Sequence, residues 1–120
     1  MATPAQLRKR LLGYALGLPE AYIDHPWGED VVKVRKKVVG FFGTAGGDDP
    51  GFGVKLPASQ PLALAQPGVT PMGYGLGKAG WVSVQLREVE LPYEQLCSWI
   101  DESYRALAPK KLLAALPPKP

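Results

Sequence analysis

The chain has 120 residues, of which 46% are hydrophobic and 21% charged, and a net charge of +3. That length suits one domain with a single core and needs neither disulfides nor a structural metal. No apolar run approaches the roughly 20 residues of a membrane helix, Met1 to Arg10 has no signal-peptide pattern, and the lone Cys97 can form no internal disulfide. A cytoplasmic protein is expected.

Thr3-Pro4-Ala5-Gln6 combines an N-cap hydroxyl, proline in the first turn and a glutamine able to close a capping box, which predicts a helix from there. Leu7, Leu11, Leu12, Ala15 and Leu18 recur at helical spacing, with Arg8, Lys9 and Arg10 mainly off the stripe, and Gly17 and Pro19 end it. Glu20 to Asp30 reads as an irregular polar segment with a His25-Pro26-Trp27-Gly28 turn. Val31 to Phe42 is β-branched and aromatic with a basic tip at Lys36-Lys37, and predicts a hairpin. After a loop over residues 43–51, Phe52 to Leu56 is a third strand, Pro61 opens a short helix, and a glycine-rich bend (Pro71 to Gly80) leads into a strand at Trp81 to Arg87. The closing helix runs from about Pro92 to Ala108, with Leu96, Cys97, Ile100, Tyr104 and Leu107 on its apolar side. A short turn follows over Lys110 to Leu116.

One domain over residues 1–116 with a proline-rich tail at 117–120 is therefore expected. Its class is α+β, a two-layer sandwich in which N- and C-terminal helices pack on one face of an antiparallel sheet of three or four strands. Alternation assigns Val32, Val34, Phe52, Val54, Leu56, Val82, Val84 and Leu86 to the core. The opposite face receives Lys33, Arg35, Gly53, Lys55, Trp81, Ser83, Gln85 and Arg87, a set without an acid.

Charge is unevenly distributed. Residues 31–87 hold seven basic side chains against two acids, Asp48 and Asp49, a net +5, while the rest of the chain sums to −2. Cations beside an aromatic ring suit a phosphate backbone and its bases, since lysine and arginine displace counterions and a ring offers a stacking platform. Lysines on a solvated sheet face and a tryptophan shielded by a loop account for the same pattern without a ligand.

Leu18-Pro19, His25-Pro26-Trp27-Gly28, Lys55-Leu56, Trp81-Val82 and Ser103-Tyr104 occur in an order that resembles the MmcQ/YjbR family, over nearly the whole chain. The resemblance implies a frataxin-type (CyaY-like) sandwich and DNA binding through a double-wing arrangement. By position it carries the family's lysine before a strand end to Lys55, its strand tryptophan to Trp81, and its closing Ser-Tyr pair to Ser103-Tyr104. Val39-Gly40 departs from the pattern, standing where many members have a glycine-lysine turn followed by an aromatic, and so leaves the hairpin register open. Tyr104 is expected in the core with its hydroxyl satisfied. The first helix offers Arg8, Lys9 and Arg10 where iron binding would need carboxylates, and Glu20, Asp24, Glu29 and Asp30 lack ligand spacing, so no metal is expected.

Gly75-x-Gly77-x-x-Gly80 matches the kinase glycine loop, but the chain lacks a second lobe and a catalytic-loop aspartate. Gly77-Lys78 is no P-loop, since Met72 and Ala79 replace the required glycine and hydroxyl residue. No nucleophile, base and acid come together around His25 or Cys97, so no catalytic residue and no cofactor is assigned. The reading is a non-enzymatic DNA-binding protein using Lys33, Arg35, Lys37, Lys55, Tyr74, Lys78 and Trp81, with Tyr74 and Lys78 as a secondary phosphate clamp. The alternative gives the same face to an anionic metabolite or a protein partner.

Overall fold

The computed structural model describes residues 3–25, 28–44, 50–73 and 75–114. Helix α1 (Pro4–Leu16) begins with the predicted capping box: the Gln6 N–H donates to Thr3 Oγ1 at 3.1 Å and the Thr3 N–H to Gln6 Oε1 at 2.8 Å. Both bonds satisfy donors that a helix start otherwise leaves orphaned. Leu11 and Ala15 carry the buried stripe.

Six antiparallel strands follow in the order β1-β2-β3-β4-β6-β5: β1 (Tyr22–Asp24), β2 (Val31–Val34), β3 (Lys37–Phe41), β4 (Gly51–Lys55), β5 (Val69–Pro71) and β6 (Trp81–Gln85). The sheet is thus wider than the three or four strands read from the sequence. β1 and β5 are the additions, three residues each and at opposite edges. Segments so short carry no legible period-2 signal; their backbone bonds to β2 and β6 hold them extended.

Every residue assigned to the core by alternation is buried. Val32, Phe52, Val54, Val82 and Val84, with Leu56 and Leu86 just past their strands, meet Leu11 and Ala15 of α1 and Leu96, Cys97 and Ile100 of helix α3 (Tyr93–Leu107). Each such side chain contributes about 1.5–3 kcal/mol by leaving water. Both long helices lie on this face, as the two-layer expectation requires. Helix α2 (Gln60–Leu64) adds Ala63 to the same core. A second small cluster, Val34, Val39, Tyr104 and Leu112, brings helix α4 (Lys110–Leu113) beneath the β2–β3 hairpin.

The departure noted at Val39-Gly40 is a β-bulge. Val32 pairs with Gly40 and Lys33 with Val38, so Val39 is the extra residue on β3. A bulge turns two successive residues to one side and leaves the ladder locally broken. Ser103 of α3 closes that break: its hydroxyl donates to the Val39 carbonyl at 2.6 Å and accepts from the Lys55 N–H at 2.9 Å. Next to it the Tyr104 hydroxyl donates to the Pro19 carbonyl at 2.8 Å, so Tyr104 is the satisfied core residue expected. The Ser-Tyr pair is thereby a structural staple between α3, the bulge and the loop after α1.

Arg8 departs from the sequence reading. Grouped there with the exposed bases of α1, it is only 6% exposed. Its guanidinium donates to the Phe42 carbonyl at 2.6 Å, to the Gly43 carbonyl at 3.2 Å and to the Asp30 carboxylate. The bidentate reach of arginine lets one side chain tie α1 to the end of β3 and the start of β2.

Candidate functional site

Antiparallel pairing decides where the charges gather. β2 and β4 end, and β3 and β6 begin, at the same end of the sheet, because Val34 pairs with Lys37 and Lys55 with Trp81. The hairpin tip Arg35-Lys36 therefore lies at the same end as Lys37, Lys55 and Trp81. Lys78 joins them from the 3-10 turn Leu76–Ala79, whose following Gly80 donates no side chain and accepts the Leu56 N–H at 2.8 Å. Gly75 and Gly80 both have positive φ, 78° and 99°, so the glycines shape this turn, as expected for tight turns and not for a nucleotide loop. Lys110 and Lys111 arrive with α4, whose Leu112 packs under Val34 and Val39.

Within this basic end the side chains are not equivalent. Arg35 makes a two-bond fork to Glu20, at 2.7 and 2.9 Å, and this hydrogen-bonded pairing holds the Glu20 carboxyl below the usual carboxylate range. Lys33 donates to Asp24 at 2.7 Å; that bond, more than simple charge, lowers the Asp24 pKa and raises that of Lys33. The sequence reading placed no acid on the helix-free face. The unforeseen strand β1 supplies one by setting Asp24 beside β2. Lys36, Lys37, Lys55, Lys78, Lys110 and Lys111, in contrast, have no carboxylate partner within ion-pair distance among the described residues. Lys36, Lys110 and Lys111 lay outside the predicted set; only the third dimension assembles them with it.

Trp81 is 7% exposed, its ring meeting Phe41 edge-on with centroids 5.4 Å apart, so little of its surface is open to a base. Tyr74 lies outside the described residues, as do Asp48, Asp49 and the tail at 117–120. Cys97 is buried, and desolvation pushes its thiol pKa up, away from nucleophilic reactivity. His25 Nε2 stands 3.1 Å from Asp30 Oδ1 in the turn before β2. Among the described residues no three His, Cys, Asp or Glu side chains group as metal ligands, and no helix is long and apolar enough to cross a membrane.

Residues 16–106 match the YjbR family. The chain belongs to the YjbR family. A crystal structure of a Pseudomonas syringae protein is similar to this YjbR-family chain at 21% identity and a TM-score of 0.65, with 82% of this chain and 97% of the other covered. At that identity the likeness speaks for the fold alone. None of the curated proteins compared matches the chain. The matched span of the family contains the bulge, the Ser103-Tyr104 staple, Lys55 and Trp81, and ends before α4 with Lys110 and Lys111.

Proposed function

We propose that this YjbR-family chain is a cytoplasmic, non-enzymatic nucleic-acid-binding module, with DNA as its first candidate ligand, that holds phosphates against the basic end of its sheet. The carrying observation is the convergence of Lys36, Lys37, Lys55, Lys78, Lys110 and Lys111 at that end from four separate segments, without carboxylates in pairing distance among the described residues. A cluster of unpaired ammonium groups releases counterions from a polyanion and gains most from a ligand with several regularly spaced charges. Arg35 and Lys33 join only by exchanging Glu20 and Asp24 for phosphate.

The hairpin tip adds support. Arg35 and Lys36 both have positive φ, 51° and 70°, in a two-residue connection that glycine or asparagine would occupy with less strain. Non-glycine residues held there cost on the order of 1 kcal/mol each. A strained turn built from two cations exposes charge at the expense of stability, as a contact surface does.

The test is fluorescence-anisotropy titration of a labelled duplex and a labelled single strand at two salt concentrations. The double variant Lys36→Ala/Lys37→Ala should weaken binding and flatten the duplex log–log salt slope by up to about 2, since each phosphate neutralised contributes about 0.9. Lys33→Ala, already neutralised by Asp24, should change it much less. An unchanged slope in the double variant, or no binding at low salt, sinks the reading.

A further inference from the structure

A different part of the helix-free face holds a pocket of about 370 Å³. Its floor is where β4 has Gly51 and Gly53 and β6 has Ser83 and Gln85, register partners Gly53↔Ser83 and Gly51↔Gln85. Phe41 of β3 forms one wall; Met72 and Leu76, on the segment that folds back between β5 and β6, form the other. Glu29 stands at the rim. The volume lies at the small end of the range for ligand sites.

The floor is bare for a reason. A Cβ at Gly53 would meet Met72 Cε at 2.0 Å, and one at Gly51 would meet the Val84 carbonyl oxygen at 2.5 Å. Both outward positions at this end of β4 thus lack side chains, and the Met72 methyl takes the place a Cβ would have at Gly53, so that wall of the pocket rests on the β4 backbone opposite Phe41. An aromatic ring, a thioether and a leucine flank it, which suits a flat apolar body. Ser83, Gln85 and Glu29 supply a hydroxyl, an amide and a carboxylate, none of which has a hydrogen bond to another described side chain or backbone group.

The charge of the lining decides the ligand class. Among the described residues that line it, the charged side chain is the carboxylate of Glu29, and none of the lysines of the basic end is with it. We infer that this pocket binds a small organic cation, with its apolar body between Phe41 and Met72 and its amino head directed to Glu29. The sequence-based alternative placed an anionic metabolite near Trp81 and Lys55. The pocket lies at the other end of the same strands, and its lining has the opposite sign. This site is independent of the nucleic-acid reading.

The experiment uses tryptamine and indole-3-propionate, which share a flat body and differ in head charge, titrated into the isotopically labelled full chain and followed by amide and side-chain NMR shifts. Tryptamine should saturate in the millimolar range with shifts centred on Phe41, Gly53, Ser83 and Gln85, and bind about fivefold tighter than the acid, the scale of one partly solvated charge pair. Glu29→Gln, an exposed substitution that leaves the floor intact, should remove that preference while retaining weak binding of both probes. Ser83→Val, β-branched and strand-compatible, should fill the floor and abolish binding. Equal affinity for both probes in the native chain, shifts centred elsewhere, or unaltered binding in Ser83→Val would overturn the assignment. Lys36→Ala/Lys37→Ala should leave tryptamine binding unchanged, which separates this outcome from that of the DNA titration.

Discussion

Removing one oxygen atom, that of Ser103, should destabilise this domain more than deleting a buried methyl group. In Ser103→Ala the α3 backbone keeps its conformation, and intrinsic propensity favours alanine over serine in a helix by about 0.5 kcal/mol. Against that stand two backbone groups, the Val39 carbonyl at the bulge and the Lys55 N–H of β4, which the hydroxyl bonds at 2.6 and 2.9 Å. Neither has a strand partner to return to, because the bulge has put Val39 out of register. Leaving a buried polar group unsatisfied costs about 1–3 kcal/mol. Ser103 is fully buried while Lys55 is half-buried, so water can reach the second group in part, and a net loss of about 2–4 kcal/mol is expected. For a domain of this size that is a fall of roughly 10 °C in Tm. Urea unfolding followed by tryptophan fluorescence measures it, with Ser98→Ala on the same helix as the control. A Ser103→Ala variant within about 0.5 kcal/mol of the parent would mean that the hydroxyl does not staple the bulge, since propensity alone would then account for the change.

Arg8→Ala should cost about 3 kcal/mol in the same assay, because it strands the half-buried Asp30 carboxylate and frees the Phe42 carbonyl. Lys36→Gly should do the reverse, raising stability by about 1 kcal/mol through relief of the positive φ while weakening DNA binding. Cys97 should react with a maleimide far more slowly at pH 8 in the native chain than in urea, because it is buried and its pKa is raised by desolvation. Asp24 and Glu20 have folded pKa values below their unfolded ones, so the stabilisation they contribute is complete above the unfolded carboxylate pKa and is lost as pH falls through the folded values. Over that same window protonation releases Lys33 and Arg35, and low-salt DNA affinity should rise until the fold itself yields. Carboxyl NMR titration beside anisotropy checks the order of these events.

Several of the decisive contacts join segments remote in the chain, and these were the least legible. Thr3-Pro4-Ala5-Gln6 announced its helix because a capping box is local, and the Val32, Val54 and Val84 set announced the buried face because alternation is local too. The Val39-Gly40 irregularity was visible as a departure from the family pattern, but its form was not, since a bulge is defined by the partner strand. Arg8 looked like one of three surface bases; no property of α1 says that Phe42, Gly43 and Asp30 will surround its guanidinium. Likewise Asp24 and Glu20 looked like loop carboxylates until β1 brought them to Lys33 and Arg35.

The class, the core face, the α1 cap and the surplus positive charge in the middle of the chain follow from the amino-acid sequence alone. Periodicity, capping and composition are properties of neighbouring residues and act before any fold exists. Which of those charges are held in ion pairs, the gathering of Lys36, Lys37, Lys55 and Lys78 at one end together with Lys110 and Lys111, and the pocket between Phe41 and Met72 arise only in the folded chain. Those outcomes depend on strand direction and register across the sheet, which long-range pairing sets and one-dimensional pattern does not contain.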